Sequence, residues 1–403
     1  MAQTLKFGKG TWATKKGSTL AYSDTNNAFK PLPFTYTGFG KGTRVNKEGL
    51  IEVVENDRPR IDYTDSEDGV FLLEKAATNS ITYSEDFTQS IWYKSSSGTG
   101  ITPIVTSDYA ISPDGTQNAT RVQFDNGVGT TLSDFTFLQT TYSSISTASL
   151  SIWIKSNDSN NYDIALRGSN FVVCNVTPKW QKFELNNQTN QIFLQLILRG
   201  TYGTSNNADI LIYGAQAENN SAASSYIPTQ GSIQTRVQET ASGSGNSEVF
   251  NDSEGVLFVD TAALSDDGTN RYISLSDGGV SNRVNIFFDS NNNLRGFYNG
   301  LSGSITINTD ITLNNKIAFK YKSGNSAFWF NGFEVATRTD ALSLSGLNSI
   351  AFDLGSGSDF YGKTKEIAYY DEVLTDLELE TLTSYRTWES MVKELNLNII
   401  HNE

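Results

Sequence analysis

One cysteine, Cys174, and one histidine, His401, are all that the 403 residues contain of either type. A lone cysteine excludes an internal disulfide and any zinc cluster built on thiolates. A lone histidine near the chain end leaves Ser-His-Asp and Cys-His mechanisms, histidine-ligated metals and histidine acid/base steps without their usual group, and His401 reads as a solvated tail residue. Basic residues are also short: Lys+Arg 30 against Asp+Glu 44 give a net charge of −14. Affinity for polyanions comes chiefly from Lys and Arg neutralising phosphates, so neither nucleic acid nor an anionic lipid surface is an expected partner. Long apolar runs are missing. The stretch Ile192 to Leu198 is far too short to cross a bilayer, so no membrane insertion is expected. The N-terminus carries lysines but no apolar core of a secretion signal.

What is present is a polar but aromatic chain, with mean hydropathy −0.35 and 12% Phe, Trp and Tyr. That composition folds, and the alternation says into what. Residues 1–75, rich in Gly, Thr and Lys with irregular apolar spacing, read as an extended N-terminal attachment region. Over 76–239 the runs Leu150 to Lys155, Ile164 to Arg167 and Asp209 to Tyr213 are separated by Asn/Ser/Gly turns, the pattern of an antiparallel β-sandwich. The small residues of 240–248 read as a linker. A second β-sandwich follows over 249–373, marked by the Asn331-Gly332 pair, which accepts positive φ at both turn positions of a hairpin. Residues 374–403 hold the helical signal: Thr375 and Glu378 fit a capping box, and Leu382, Tyr385, Trp388, Val392 and Leu395 recur at helical spacing. The fold expected is all-β, two antiparallel sandwiches of jelly-roll and lectin-like type, with a short C-terminal α-helix.

Two groups of motifs carry a resemblance. The first runs Thr43-Arg44-Val45-Asn46, Gly49-Leu50-Ile51-Glu52, Arg58-Pro59-Arg60-Ile61-Asp62-Tyr63, Leu72-Leu73-Glu74, Thr78-Asn79 and Tyr83-Ser84-Glu85-Asp86-Phe87, and closes at Trp92. The second is Gly214-Ala215-Gln216-Ala217-Glu218, then Ser225-Tyr226-Ile227-Pro228-Thr229 and Thr235-Arg236. Together they resemble bacteriophage virion proteins of the tail-fibre, head-fibre or receptor-binding type. In such proteins the bracketed sandwich is similar to a carbohydrate-binding-module jelly roll. The second sandwich is similar to concanavalin-like and laminin-G-like lectin domains through Asn331-Gly332 and the strand Gly362 to Asp371 that leads into the capped helix.

The candidate chemistry is sparse. Asp108, Asp114, Asp266, Asp267, Glu366 and Asp371 show no Glu-x-Asp-x-x-Glu strand pattern and read as solvated turn acids, so no enzyme is expected. Asp289, Asn291 and Asn293 place oxygens at positions one, three and five, as an EF-hand loop opens, which makes them the candidate calcium ligands. Leu294 and Gly300 stand where that loop needs Gly and a bidentate Glu, and the segment reads foremost as a hairpin turn. Trp and Tyr stack on the apolar faces of sugars while Asn bonds hydroxyls, so Tyr298, Asn299, Trp329 and Trp92 are the candidate glycan contacts. Trp153, between Ile152 and Ile154, and Cys174 read as core. The resemblance implies a virion surface protein that adheres to host-surface or environmental glycans, attaches to other virion proteins through its N-terminal region and assembles as a homotrimer. The alternatives are a virion-borne polysaccharide depolymerase and a purely structural capsid decoration.

Overall fold

The computed structural model describes residues 3–25, 28–200, 202, 205–355 and 357–398; His401 lies outside them. Strands dominate, all pairings are antiparallel, and the only α-helices among the described residues are two short ones near the C-terminus. No helix there is long and apolar enough to cross a membrane. The chain forms two compact units, residues 1–38, 56–75 and 238–403 in the first and 39–55 and 76–237 in the second.

The first unit is a sandwich. In one layer Glu254–Ala263 lies between Asn315–Lys322 and Gly362–Tyr370, and the hairpin Ser326–Phe330 with Phe333–Arg338 extends one side. Its turn is the expected one: Asn331 and Gly332 sit at φ 48° and 90°, and Phe330 pairs with Phe333. The other layer holds Arg271–Ser276, Arg283–Phe288, Leu294–Tyr298, Ile305–Ile307 and Ser349–Ala351. Alternate residues such as Leu257, Val259, Ile317, Phe319 and Ile367 meet Ile273, Leu275, Val284, Ile286 and Leu294 between the layers. That is the period of two of a pleated strand with one face inward.

The N-terminal 75 residues are not an extended arm. Leu5–Gly8 pairs with Gly362–Tyr370, and Ser18–Ser23 and Lys30–Thr37 continue the same sheet. The reason is apolar: Phe7, buried, sits 5.0 Å from Phe34 and 5.4 Å from Phe71 by ring centroids, burial an arm could not supply. The small-residue segment 240–248 is not a free linker either, since Thr240–Ser242 pairs with Lys30–Thr37. Composition favours solvation there, but an open sheet edge offers its backbone partners.

One helical stripe becomes two helices. Asp376–Thr383 starts at the predicted capping box, with Thr375 N donating to Glu378 Oε2 at 2.9 Å. Its Leu379 packs with Phe258, Trp329 and Leu374 on the outer face of the sheet. The chain breaks at Ser384, whose hydroxyl donates to the Glu380 carbonyl, and restarts at the N-cap Thr387 as Trp388–Glu394. Trp388 consequently ends 62% exposed instead of continuing a stripe.

The second unit is built on two long strands, Phe135–Ser156 and Gln181–Arg199, which pair with each other along most of their length. Their two halves serve two layers. Phe135 to Thr140 pairs with Trp92–Ser97, and Leu194 to Arg199 leads to Tyr162–Arg167 and Phe171–Val176. Ser149 to Ser156 pairs with Asn207–Glu218, followed by Ala119–Asp125 and Ile101–Ala110. Leu138, Leu194, Leu196, Ile164 and Cys174 face Ile152, Ile154, Val122, Phe124 and Ile210 in one core. Cys174 is the small buried hydrophobe the sequence indicates, its thiol pushed up to about 12 by burial.

Candidate functional site

Several residues of the resemblance motifs turn out to be buried scaffolding. In the first unit the Arg60 guanidinium, 1% exposed, pairs with Glu74 at 2.7 Å and donates from Nε to Glu239 at 2.7 Å, while Tyr36 donates to the same Glu239 at 2.6 Å. In the second unit Asn79 spends all its hydrogen-bonding capacity on the backbone: Nδ2 donates to the carbonyls of Ala215 and Ile227, and Oδ1 accepts from Ile81 and Ala217. Gln216 donates to Glu218 at 2.6 Å and accepts from Ile227 N at 2.6 Å. Tyr213 and Tyr226 both donate to Glu85, at 3.3 Å and 2.9 Å. Burial raises the Glu85 carboxyl above the ordinary range and Asp114 adds to it, against the two tyrosine hydroxyls. Buried polar groups must be paired, and these side chains pair irregular backbone that the sheets leave out.

The candidate contact residues point the wrong way. Trp92 is 3% exposed, donates from Nε1 to the Tyr83 carbonyl at 2.9 Å and packs on Phe87. Tyr298 is fully buried against Phe319 rather than at a rim. Trp329 lies under the helix Asp376–Thr383. Asn299 is half-buried, its side chain bonded to the Ser281 carbonyl and Arg283 N. The calcium reading fails on the donor set. Asp289 Oδ1 accepts from the amides of Asn291 and Asn293 at 2.9 Å and 3.0 Å, and Oδ2 pairs with Arg295 at 2.9 Å. A carboxylate ringed by N–H groups and a guanidinium closes a hairpin turn, between Phe288 and Leu294, and does not face a cation.

Trp92 has an outward neighbour one residue away, Tyr93, which joins other aromatics on one face of the second unit. Opposite the core, Tyr93 pairs with Gln139, Gln139 with Gln195, Gln195 with Arg167 and Arg167 with Phe171, one row across five strands. At strand spacing the row spans roughly 19 Å. Its centre is hydrogen-bonded, Arg167 Nη1 to Gln195 Oε1 at 3.0 Å and Gln195 Nε2 to Gln139 Oε1 at 2.8 Å. Its ends are aromatic, Tyr93 60% and Phe171 45% exposed. Around it stand Phe137, 5.8 Å from Tyr93; Phe193, under the Arg167 guanidinium at 5.3 Å; and Tyr202, stacked 4.2 Å from Phe171. Arg199 lies over Phe135 at 5.8 Å and over Tyr202 at 5.6 Å. Neither Arg167 nor Arg199 is joined to a carboxylate among the described residues; Arg199 donates to the Leu132 carbonyl. Aromatic plates beside fixed planar amides and guanidinia can take the apolar face of a ring while bonding its polar edge. The signal was in the alternation: Phe135 and Phe137, then Phe193, Gln195 and Arg199, occupy the positions opposite Leu138, Leu194, Leu196 and Leu198.

No protein-family model matches the chain, and no curated protein matches it. Solved structures do. It is similar to the CBM40 module of the Ruminococcus gnavus IT-sialidase, at 16% identity and TM-score 0.29 over 35% of this chain and 93% of that one. It is also similar to the Trypanosoma rangeli sialidase in complex with the inhibitor DANA, at 9% identity and TM-score 0.28 over 91% of this chain and 81% of that one. A leech intramolecular trans-sialidase matches at 16% identity and TM-score 0.28 over 36% of this chain and 27% of that one. The expectation that the chain is no enzyme is corrected by these matches, because sialidases are enzymes. Likenesses this faint assign it neither an activity nor catalytic residues.

Proposed function

We propose that this chain is an adhesion protein on the surface of a bacteriophage virion, as a tail fibre, head fibre or capsid decoration. It holds glycans of the host surface or surroundings on the aromatic face of its second unit. The observation that carries the binding is the row Tyr93, Gln139, Gln195, Arg167 and Phe171, polar in the middle and aromatic at its ends. Five aligned positions on paired strands cost little ordering on binding, and such preorganisation favours a ligand as weakly held as a sugar. The ordered motifs from Thr43 to Trp92 and from Gly214 to Arg236 support the virion assignment. Homotrimeric assembly and attachment to other virion proteins through the N-terminal region belong to the same reading. Glycan-array retention of the full-length protein, lost in Phe137→Ala, tests the site; retention that survives the loss of Phe137 and Tyr93 together overturns it. New reducing ends in the same incubation would mark a polysaccharide-cleaving enzyme instead. Light scattering tests the trimer, and labelled particles viewed by electron microscopy test the virion location.

A further inference from the structure

The first unit holds a polar cleft of 1080 Å³ that the aromatic face does not account for. Its floor is a row of charge across neighbouring strands. Asp260 pairs in register with Lys316 on one side and with Glu366 on the other. Lys316 Nζ lies 2.6 Å from Asp260 Oδ2, and Lys9 Nζ lies 3.5 Å from Glu366 Oε2. The same outward face carries Phe258 and Ala262. The helix Trp388–Glu394 forms one wall, with Glu394 3.2 Å from Lys365, and the segment around Asn314 forms another.

Glu366 is not the solvated acid its sequence position indicates. It is 5% exposed and Asp260 3%, yet Asp260 Oδ1 and Glu366 Oε1 accept no hydrogen bond among the described residues. Burial raises the Glu366 carboxyl above its ordinary value, and Asp260 adds to that against Lys9 and Lys6. A buried acceptor without a donor costs free energy that a ligand's O–H group would recover. The charge around it selects the ligand. Asp260, Glu366 and Glu394 already face Lys9, Lys316 and Lys365, so a cation entering here meets the three ammonium groups, and an anion meets the three carboxylates. A neutral molecule rich in hydroxyls meets no like charge: it donates to the two orphaned oxygens and accepts from the lysines.

We propose that this cleft is a second binding site, for a neutral, hydroxyl-rich ligand of the hexose class, with Asp260 and Glu366 as hydroxyl acceptors and Lys316 as donor. It is independent of the aromatic face. A free hexose and a hexose unit within a polymer offer the same hydroxyls, and chain length separates the two sources.

The test is titration of the full-length protein with glucose, galactose, maltohexaose and cellohexaose, followed by calorimetry. Equal affinity for monomer and hexamer identifies a small ligand, and affinity rising with length identifies a polymer; both support the site. Asp260→Asn and Glu366→Gln each weaken binding about tenfold, the worth of one hydrogen bond to a charged group. Should either variant fail to fold, Asn314→Trp fills the cleft from its wall and abolishes binding, whereas Phe137→Ala leaves it unchanged. The proposal is overturned if none of the four sugars binds at millimolar concentration, or if binding survives Asn314→Trp.

Discussion

Both sandwiches set arginine beside aromatic rings on the outward face of a sheet, and they differ in what becomes of the charge. In the first unit Tyr272 stacks on Phe287 at 4.5 Å, Phe287 lies under Arg295 at 5.9 Å, and Asp289 in the adjoining turn neutralises Arg295 at 2.9 Å. In the second unit Arg167 and Arg199 lie over Phe193 and Phe135 and bond an amide and a carbonyl instead. The same side-chain pattern is therefore closed in one unit and open in the other, and a single turn carboxylate makes the difference. The scaffolds below share buried charge. The first unit buries Arg60 with Glu74 and Glu239, and the second buries Glu218 in the field of Arg236 and adds amides and hydroxyls around Asn79, Gln216 and Tyr226.

The comparison can be broken at several points. Glu239→Ala leaves Arg60 to Glu74 alone and takes the acceptor from the Tyr36 hydroxyl and the Glu74 amide, and should cost about 3–5 kcal/mol, read as a lower denaturation midpoint of the first unit. Phe137→Ala in the second unit should lower glycan retention about tenfold, with Phe287→Ala in the first leaving it unchanged; equal losses would erase the distinction between the faces. Asp289→Asn should open the first face and give it a weak, salt-sensitive retention of acidic glycans.

Asp289→Asn also carries a pH signature. Burial tends to raise the Asp289 carboxyl, but the hydrogen bonds from Arg295, Asn293 and Asn291 outweigh it and hold the group below its ordinary 3.8. The folded form therefore binds its proton less tightly than the unfolded form. The stability this contributes is present above 3.8 and is lost as the pH falls through the lowered value, so variant and wild type should converge in acid. Glu85 in the second unit has the opposite sign and the smallest effect. Its carboxyl is raised, chiefly by burial, so ionising it costs the folded state. Relative to wild type, Glu85→Gln should gain stability as the pH climbs from below 4.5 through the raised value, and thermal melts across that range would show it.

The strands were legible because alternation is local: Leu150 to Lys155 and Arg283 to Phe288 announce themselves within six residues. So were the Asn331-Gly332 turn and the Thr375 cap, each decided by two or three adjacent side chains. The contact residues were not. Trp92 and Tyr93 are equally aromatic, and which of them faces the core depends on the register of Trp92–Ser97 against Phe135–Ser156, a partner more than forty residues away. Asp260, Lys316 and Glu366 share their strands with other charges, Glu254, Lys320 and Lys365 among them, so nothing local singles them out, and only the pairing of three strands makes them neighbours.

By itself the sequence determined the class of this molecule: an acidic, all-β chain with one histidine and one cysteine, its turns and caps written in adjacent residues. The tertiary structure decided that residues 1–38 and 56–75 belong to the first unit and 39–55 to the second, that Arg60, Asn79 and Gln216 of the resemblance motifs are buried braces, and which aromatics meet solvent. The physical reason is range. Turn and cap preferences arise from dihedral angles and hydrogen bonds a few residues apart, whereas inside and outside are fixed by strand pairing between segments the sequence separates widely, and a shift of one residue exchanges the two faces.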